Sequence, residues 1–113
     1  MTEVMIQIED ELCTDEVVQF ANEAKQCVEL YSRKNHDYGN SFEKGMNEIG
    51  PTYSVGRIYD KVNRLIKLSL VEDSFVKDET VDDTLRDLAC YAMMMLSYRK
   101  KQIDNKQAEI NFE

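Results

Sequence analysis

The stretch DETVDDTLRDLACYAMMMLSY, Asp78 to Tyr98, constrains the fold more than any other part of the chain. Successive residues of a helix turn by about 100°. Val81, Leu85, Leu88, Ala92 and Met95 therefore form one stripe, the natural core face. Glu79, Asp83 and Asp87 climb the opposite side at four-residue spacing, and that side continues into Cys90 and Met94. From Leu88 onward the helix is apolar nearly all round, and such a helix is buried on every side. In a single domain of 113 residues the core is modest. One side of this helix is expected to face the bundle and the other a partner subunit. The carboxylate row then sits at the mouth of that interface. Like charges four apart disfavour a helix by roughly 0.2–0.5 kcal/mol per pair, and a bound divalent cation would offset this directly. The bland alternative is a solvated acidic face that complements the helix macrodipole. It covers Asp78, Glu79 and Asp82 but not Asp87, which lies beyond the first turn.

The remainder of the chain is also helical in pattern. Thr14 reads as an N-cap, with Asp15 and Glu16 in the first turn. Val17, Phe20, Ala21, Ala24, Cys27, Val28 and Tyr31 follow at helical spacing. Turn formers in KNHDYGN close this first helix, SFEKGMNE reads as a short helical turn, and IGP breaks it. Ser54 is the expected cap of a second long helix, with Ile58, Val62, Leu65, Ile66 and Ser69 on one face. VEDSFVKD reads as an acidic link, and Asp78 as the cap of a third long helix that runs to about Lys101. The fold class is all-α: a small bundle of three long helices plus a short one. Residues 1–13 form an N-terminal extension, 14–104 the helical domain and 105–113 a C-terminal tail. The alternation of Val4, Ile6 and Ile8, and of Ile110 and Phe112, marks the only candidates for edge strands.

Composition excludes several classes. With 32% charged and 42% hydrophobic residues, the chain has the balance of a globular protein. Its net charge of −8 argues against direct binding to nucleic-acid backbones. No apolar run approaches the roughly 20 residues of a membrane helix, and the N-terminus lacks the pattern of a secretion signal. Cys13, Cys27 and Cys90 are odd in number and widely spread. They suit a reducing cytoplasm rather than a disulfide framework or a zinc site.

The second long helix carries Arg57, Asp60, Asn63, Arg64 and Lys67 away from its apolar stripe. If this side meets the carboxylate row, Asp60 completes a metal site, and Arg57, Lys61 and Arg64 can hold phosphates. The alternative is a set of surface salt bridges such as Asp60 with Arg64. His36, the only histidine, reads as an exposed helix-end residue, and Met93, Met94 and Met95 as packing material.

Three blocks in order, KNHDYGNSFEKGMNEIG, RIYDKVNRLIKL and DETVDDTLRDLACYA, resemble the signature blocks of the nucleotide-modification-associated domain family, a small all-helical group common in phages and prophages. The resemblance covers about Lys34 to Met95. That family looks like a branch of the all-alpha nucleoside triphosphate pyrophosphohydrolases, the MazG-like superfamily, which includes dimeric dUTPases. The resemblance implies a MazG-like bundle assembled as a homo-oligomer, a dimer or tetramer. It also implies Mg²⁺-dependent cleavage of a nucleoside triphosphate to the monophosphate and pyrophosphate. The superfamily pattern is E-E-x-x-E on one helix and E-x-x-x-D on the next. The second element falls on Asp83 and Asp87, with Glu79 one turn earlier. The first falls on YDKVN, where Asp60 keeps its carboxylate and Tyr59 and Asn63 replace the other acids. The implied metal set is Asp60, Glu79, Asp83 and Asp87, with Glu79 also the candidate base. The implied substrate contacts are Lys34, Asp37, Tyr38, Arg57, Lys61, Asn63, Arg64 and Tyr91. Because two acids are missing, a nucleotide-binding protein without hydrolysis stays open, as does an acidic helical interaction module.

Overall fold

The computed structural model describes residues 2–38, 40–70 and 74–112; the side chains of residues 37, 38, 74–79, 111 and 112 lie outside the described set. After a 3-10 turn at Asp10–Leu12 come four α-helices: α1 (Asp15–Tyr38), α2 (Ser41–Ile49), α3 (Pro51–Leu68) and α4 (Ser74–Phe112). No strand occurs among the described residues. Helix α4 is the spine: α3 packs along it, α1 crosses it, and α2 sits against α3.

The helix boundaries follow local chemistry, with two corrections. Thr14 caps α1 as expected, its Oγ1 accepting from Val17 N at 3.3 Å. Helix α2 ends at Gly50, whose φ of 91° is a backbone state that glycine adopts freely. Pro51 then occupies the first position of α3, where its missing N–H costs nothing. Ser54 is therefore not a cap but an interior residue, fully buried. Likewise Asp78 is not a cap, because α4 already starts at Ser74. Helix α4 also runs past Lys101 to Phe112, since no Gly or Pro interrupts residues 102–112. Ile110 and Phe112 thus extend a helix rather than an edge strand, and Val4, Ile6 and Ile8 carry no strand either.

Burial is sparse. Among the described residues, Cys27, Met46 and Cys90 are the buried apolar side chains, with Ser54 and Thr84 as buried polar ones. The covered side of α4 is wider than the expected stripe. Val81, Leu88 and Met95 of that stripe are half-buried while Leu85 and Ala92 face outward, and Thr84 and Cys90 are buried with Asp87, Tyr91 and Met94 partly so. The stripe of α1 is covered only in part: Cys27 is buried, while Phe20 is 78% exposed. The radius of gyration is 17.4 Å, against about 13 Å for a compact chain of this length. The long dimension of 60 Å matches the ~58 Å expected of a 39-residue helix.

Candidate functional site

The covered side of α4 takes in Asp87, and two cations from other helices meet it. Lys34 Nζ, from the last turns of α1, donates to Asp87 Oδ1 at 3.3 Å. Lys61 Nζ, from the middle of α3, donates to Oδ2 at 3.1 Å. The Lys61–Asp87 pair is three-quarters shielded on both sides, whereas Lys34 is more than half exposed. Two ammoniums against one carboxylate leave this spot at +1 within a chain of net charge −8. A local positive excess in an acidic protein is the electrostatic form of an anion site.

The cluster lies in a cleft of about 260 Å³ whose walls include Leu30, Tyr31, Phe42, Tyr53, Tyr91 and Met94. Phe42 is the hub of the aromatics. Its ring centroid is 5.9 Å from that of Tyr53 and 6.3 Å from that of Tyr91, both within the range of favourable tilted pairs. Gly45 makes this packing possible, since a Cβ there would stand 2.6–2.8 Å from the Tyr53 ring. On the outer side, the Arg57 guanidinium sits 5.3 Å from the Tyr53 centroid, a cation–π distance.

A second cleft of about 390 Å³ adjoins the first and shares Tyr31, Asn35, Phe42, Cys90 and Met94 with it. Its floor is apolar, with Cys27, Val28 and Met93, and its rim carries Asn40, Glu43, Ser97 and Lys101. Lys101 Nζ donates to Glu43 Oε1 at 2.7 Å, and Asn40 Nδ2 to Oε2 at 2.6 Å. The Lys101 hydrogen bond, then that of Asn40, holds the Glu43 carboxyl below the usual range. Asn40 reaches this position from a left-handed backbone, φ 62°. Burial, then the neighbouring Cys27, pushes the Cys90 thiol up to about 11. Cys90 Sγ donates to the Cys27 carbonyl at 3.7 Å, so this thiol packs α4 on α1 and is no nucleophile.

Of the residues anticipated from the sequence, Lys34, Lys61, Asp87 and Tyr91 come together in the first cleft. Asp60 and Arg64 are exposed and contribute to neither cleft. Asn63 is half-buried and also outside them, as is exposed Arg57. Asp83 is 71% exposed and turned toward α1, where Arg86 pairs with it at 3.6 Å and with Glu23 at 3.4 Å. The side chains of Asp37, Tyr38 and Glu79 lie outside the described residues. Among the described residues, no three acidic, histidine or cysteine side chains gather as a metal cage. Tyr31, Phe42 and Tyr53 were not anticipated. The signal for them was Gly45 within a short helix, a small residue where another ring must approach.

The cleft fits a magnesium ion only in one form. Mg²⁺ is commonly bound through one or two carboxylates plus substrate phosphates. Among the described residues, Asp87 is the one carboxylate of the first cleft. It would hold an ion that arrives on a polyphosphate, which in turn would occupy the two ammoniums.

No characterised protein and no solved structure shows significant similarity to this chain. A family model does match, over residues 34–97, more than half of the chain. The matched segment begins at Lys34 and spans every residue of the first cleft except Leu30 and Tyr31. The chain belongs to the family described as Nucleotide modification associated domain 1.

Proposed function

We propose that the chain binds a nucleoside triphosphate across the two clefts and, with Mg²⁺, hydrolyses it to the monophosphate and pyrophosphate. The observation that carries the reading is the convergence of Lys34 and Lys61 on Asp87 beside an aromatic wall, inside the family-matched segment. The ammoniums supply point charges for phosphate oxygens. Phe42, Tyr91 and the apolar floor of the second cleft offer surfaces for a base, and its polar rim offers hydrogen bonds to base or sugar. The two clefts together fall within the ~300–1,000 Å³ usual for small-molecule sites.

In this reading Asp87 has two states. Without ligand it is the counter-ion of both lysines. With a triphosphate bound, the lysines would turn to phosphate, and Asp87 would be the carboxylate free to hold Mg²⁺. The bound ion would supply charge neutralisation and an acidified water. Lys61, shielded in the cleft, stabilises charge on the leaving pyrophosphate, and the aromatic wall excludes bulk water. Glu79 is the candidate general base.

The second reading is a binding protein without turnover. It is favoured by the exposed placement of Asp60 and Asp83, which leaves Asp87 as the sole acid of the first cleft among the described residues. Pyrophosphate release across common and modified deoxynucleoside triphosphates separates the two. Turnover that needs Mg²⁺ and vanishes in Lys61→Ala and Glu79→Gln supports the hydrolase. Binding with no release in any combination leaves the binding protein. No binding at all removes both.

A further inference from the structure

Among the described residues the second cleft holds one carboxylate, and its surroundings set it as an acceptor. Glu43, in the first turn of α2, stands on the rim with its side chain 30% exposed. Lys101 from α4 donates to its Oε1 at 2.7 Å, and Asn40 to its Oε2 at 2.6 Å. These bonds hold the carboxyl below its usual range, so it is ionised at neutral pH. An ionised carboxylate offers about four lone-pair positions over its two oxygens. Among the described residues one position on each oxygen is taken and one on each stays open. Lys101 likewise keeps N–H donors beyond the one that Glu43 accepts.

The rim thus presents two adjacent acceptors with an ammonium donor beside one of them, next to Phe42 and above Val28 and Met93. Guanine has the base edge that completes this set. Its N1–H and N2–H are neighbouring donors of guanidine type, which meet a carboxylate as a two-bond fork. Its O6, beside N1, is the acceptor that the ammonium requires. Adenine and cytosine place a ring-nitrogen lone pair next to their amino group, and thymine places a carbonyl on each side of its N–H. Each of these would turn a lone pair toward the carboxylate. We infer that the second cleft selects guanine nucleotides, with Glu43 and Lys101 reading the edge of the base and Phe42 covering its face. Phe42 lines both clefts, so one nucleotide can meet both Glu43 and the lysine pair. The inference rests on the nucleotide reading above and adds the identity of the base. The pair also ties α2 to α4, a role that would leave base preference unmoved.

Calorimetric titration of the full chain with dGTP, dITP, dATP, dCTP and dTTP, in EDTA so that no metal-dependent turnover intervenes, reads the preference. The base of dITP differs from guanine by the missing N2 amino group alone. Wild type should bind dGTP tightest, by about fivefold or more over dITP, with the other three no tighter than dITP. Glu43→Gln turns one acceptor into a donor and should bring the dGTP-to-dITP ratio close to one. Its affinity for inorganic pyrophosphate should stay that of wild type, because Glu43 is no part of the first cleft. Equal binding of dGTP and dITP, tighter binding of another base, or a ratio unchanged in Glu43→Gln would overturn the guanine assignment and leave the nucleotide reading standing. Failure of all five to bind would overturn both.

Discussion

Replacing Asp87 by Asn keeps the shape of the side chain and removes its charge, so it isolates the counter-ion role. The Lys61–Asp87 pair is 3.1 Å long and three-quarters shielded on both partners, while Lys34 contributes from a largely exposed position at 3.3 Å. Exposed pairs are worth about 0–1 kcal/mol and hydrogen bonds to charged groups about 1.5–3 kcal/mol. The two ammoniums would also face each other without a counter-ion. A net destabilisation of about 1–2 kcal/mol follows, which for a domain of this size lowers Tm by roughly 4–8 °C. Anion binding should move the other way. The cluster goes from +1 to +2, and one more unit charge ~5 Å from a phosphate at an effective dielectric constant of about 40 is worth about 1–2 kcal/mol. Asp87→Asn should therefore bind pyrophosphate roughly tenfold more tightly than wild type without Mg²⁺, while losing any Mg²⁺-dependent turnover. Thermal-shift titrations with pyrophosphate, in low salt with and without Mg²⁺, read both effects. An unchanged Tm with unchanged pyrophosphate binding would refute the counter-ion reasoning.

Three further outcomes test the packing around the site. Gly45→Ala places a methyl 2.6–2.8 Å from the Tyr53 ring; it should cost about 1–3 kcal/mol by overpacking, seen as a lower urea midpoint with unchanged slope. Ser54 Oγ is buried without a hydrogen-bond partner among the described residues, so Ser54→Ala should be neutral or stabilising by up to about 1 kcal/mol, and clear destabilisation would reveal a partner for the hydroxyl. The Cys90 thiol titrates near 9.0 when unfolded and at about 11 when folded. Its contribution is fully present below pH 9 and is lost as pH rises toward 11, because there the folded state keeps a proton that the unfolded chain has shed. Cys90→Val should make denaturant stability between pH 9 and 11 fall less steeply than in wild type.

What was legible in the sequence divides by range. Local signals worked where the backbone itself decides: the Thr14 cap, the Gly50–Pro51 break and the helical period of all four elements. They failed at Ser54 and Asp78, where residues that favour caps lie inside helices held by tertiary packing. The covered side of α4 was drawn too narrowly because its stripe was read from apolar residues alone: Val81, Leu88 and Met95 are half-buried, but Leu85 and Ala92 are not. The buried side is partly polar, with Thr84 bonding its own backbone at Thr80 and Asp87 bonding two lysines. Lys34, Lys61, Asp87 and Tyr91 were singled out beforehand, yet their meeting is a contact across 26 and 53 residues that no spacing rule encodes. Asp60 and Asp83 show the converse. Asp60 lies on the exposed side of α3, and Asp83, one turn before Asp87, is mostly exposed and pairs with Arg86, so neither joins the lysine cluster.

The central claim is that Lys34 and Lys61 receive the phosphates of a nucleotide. Calorimetric titration of a non-hydrolysable nucleoside triphosphate with Mg²⁺ into wild type, Lys34→Ala, Lys61→Ala and the double variant tests it most directly. Wild type should bind, Lys61→Ala should lose more affinity than the exposed Lys34→Ala, and the double variant should show no heat. Equal affinity in all four proteins would place the phosphates elsewhere and contradict the claim.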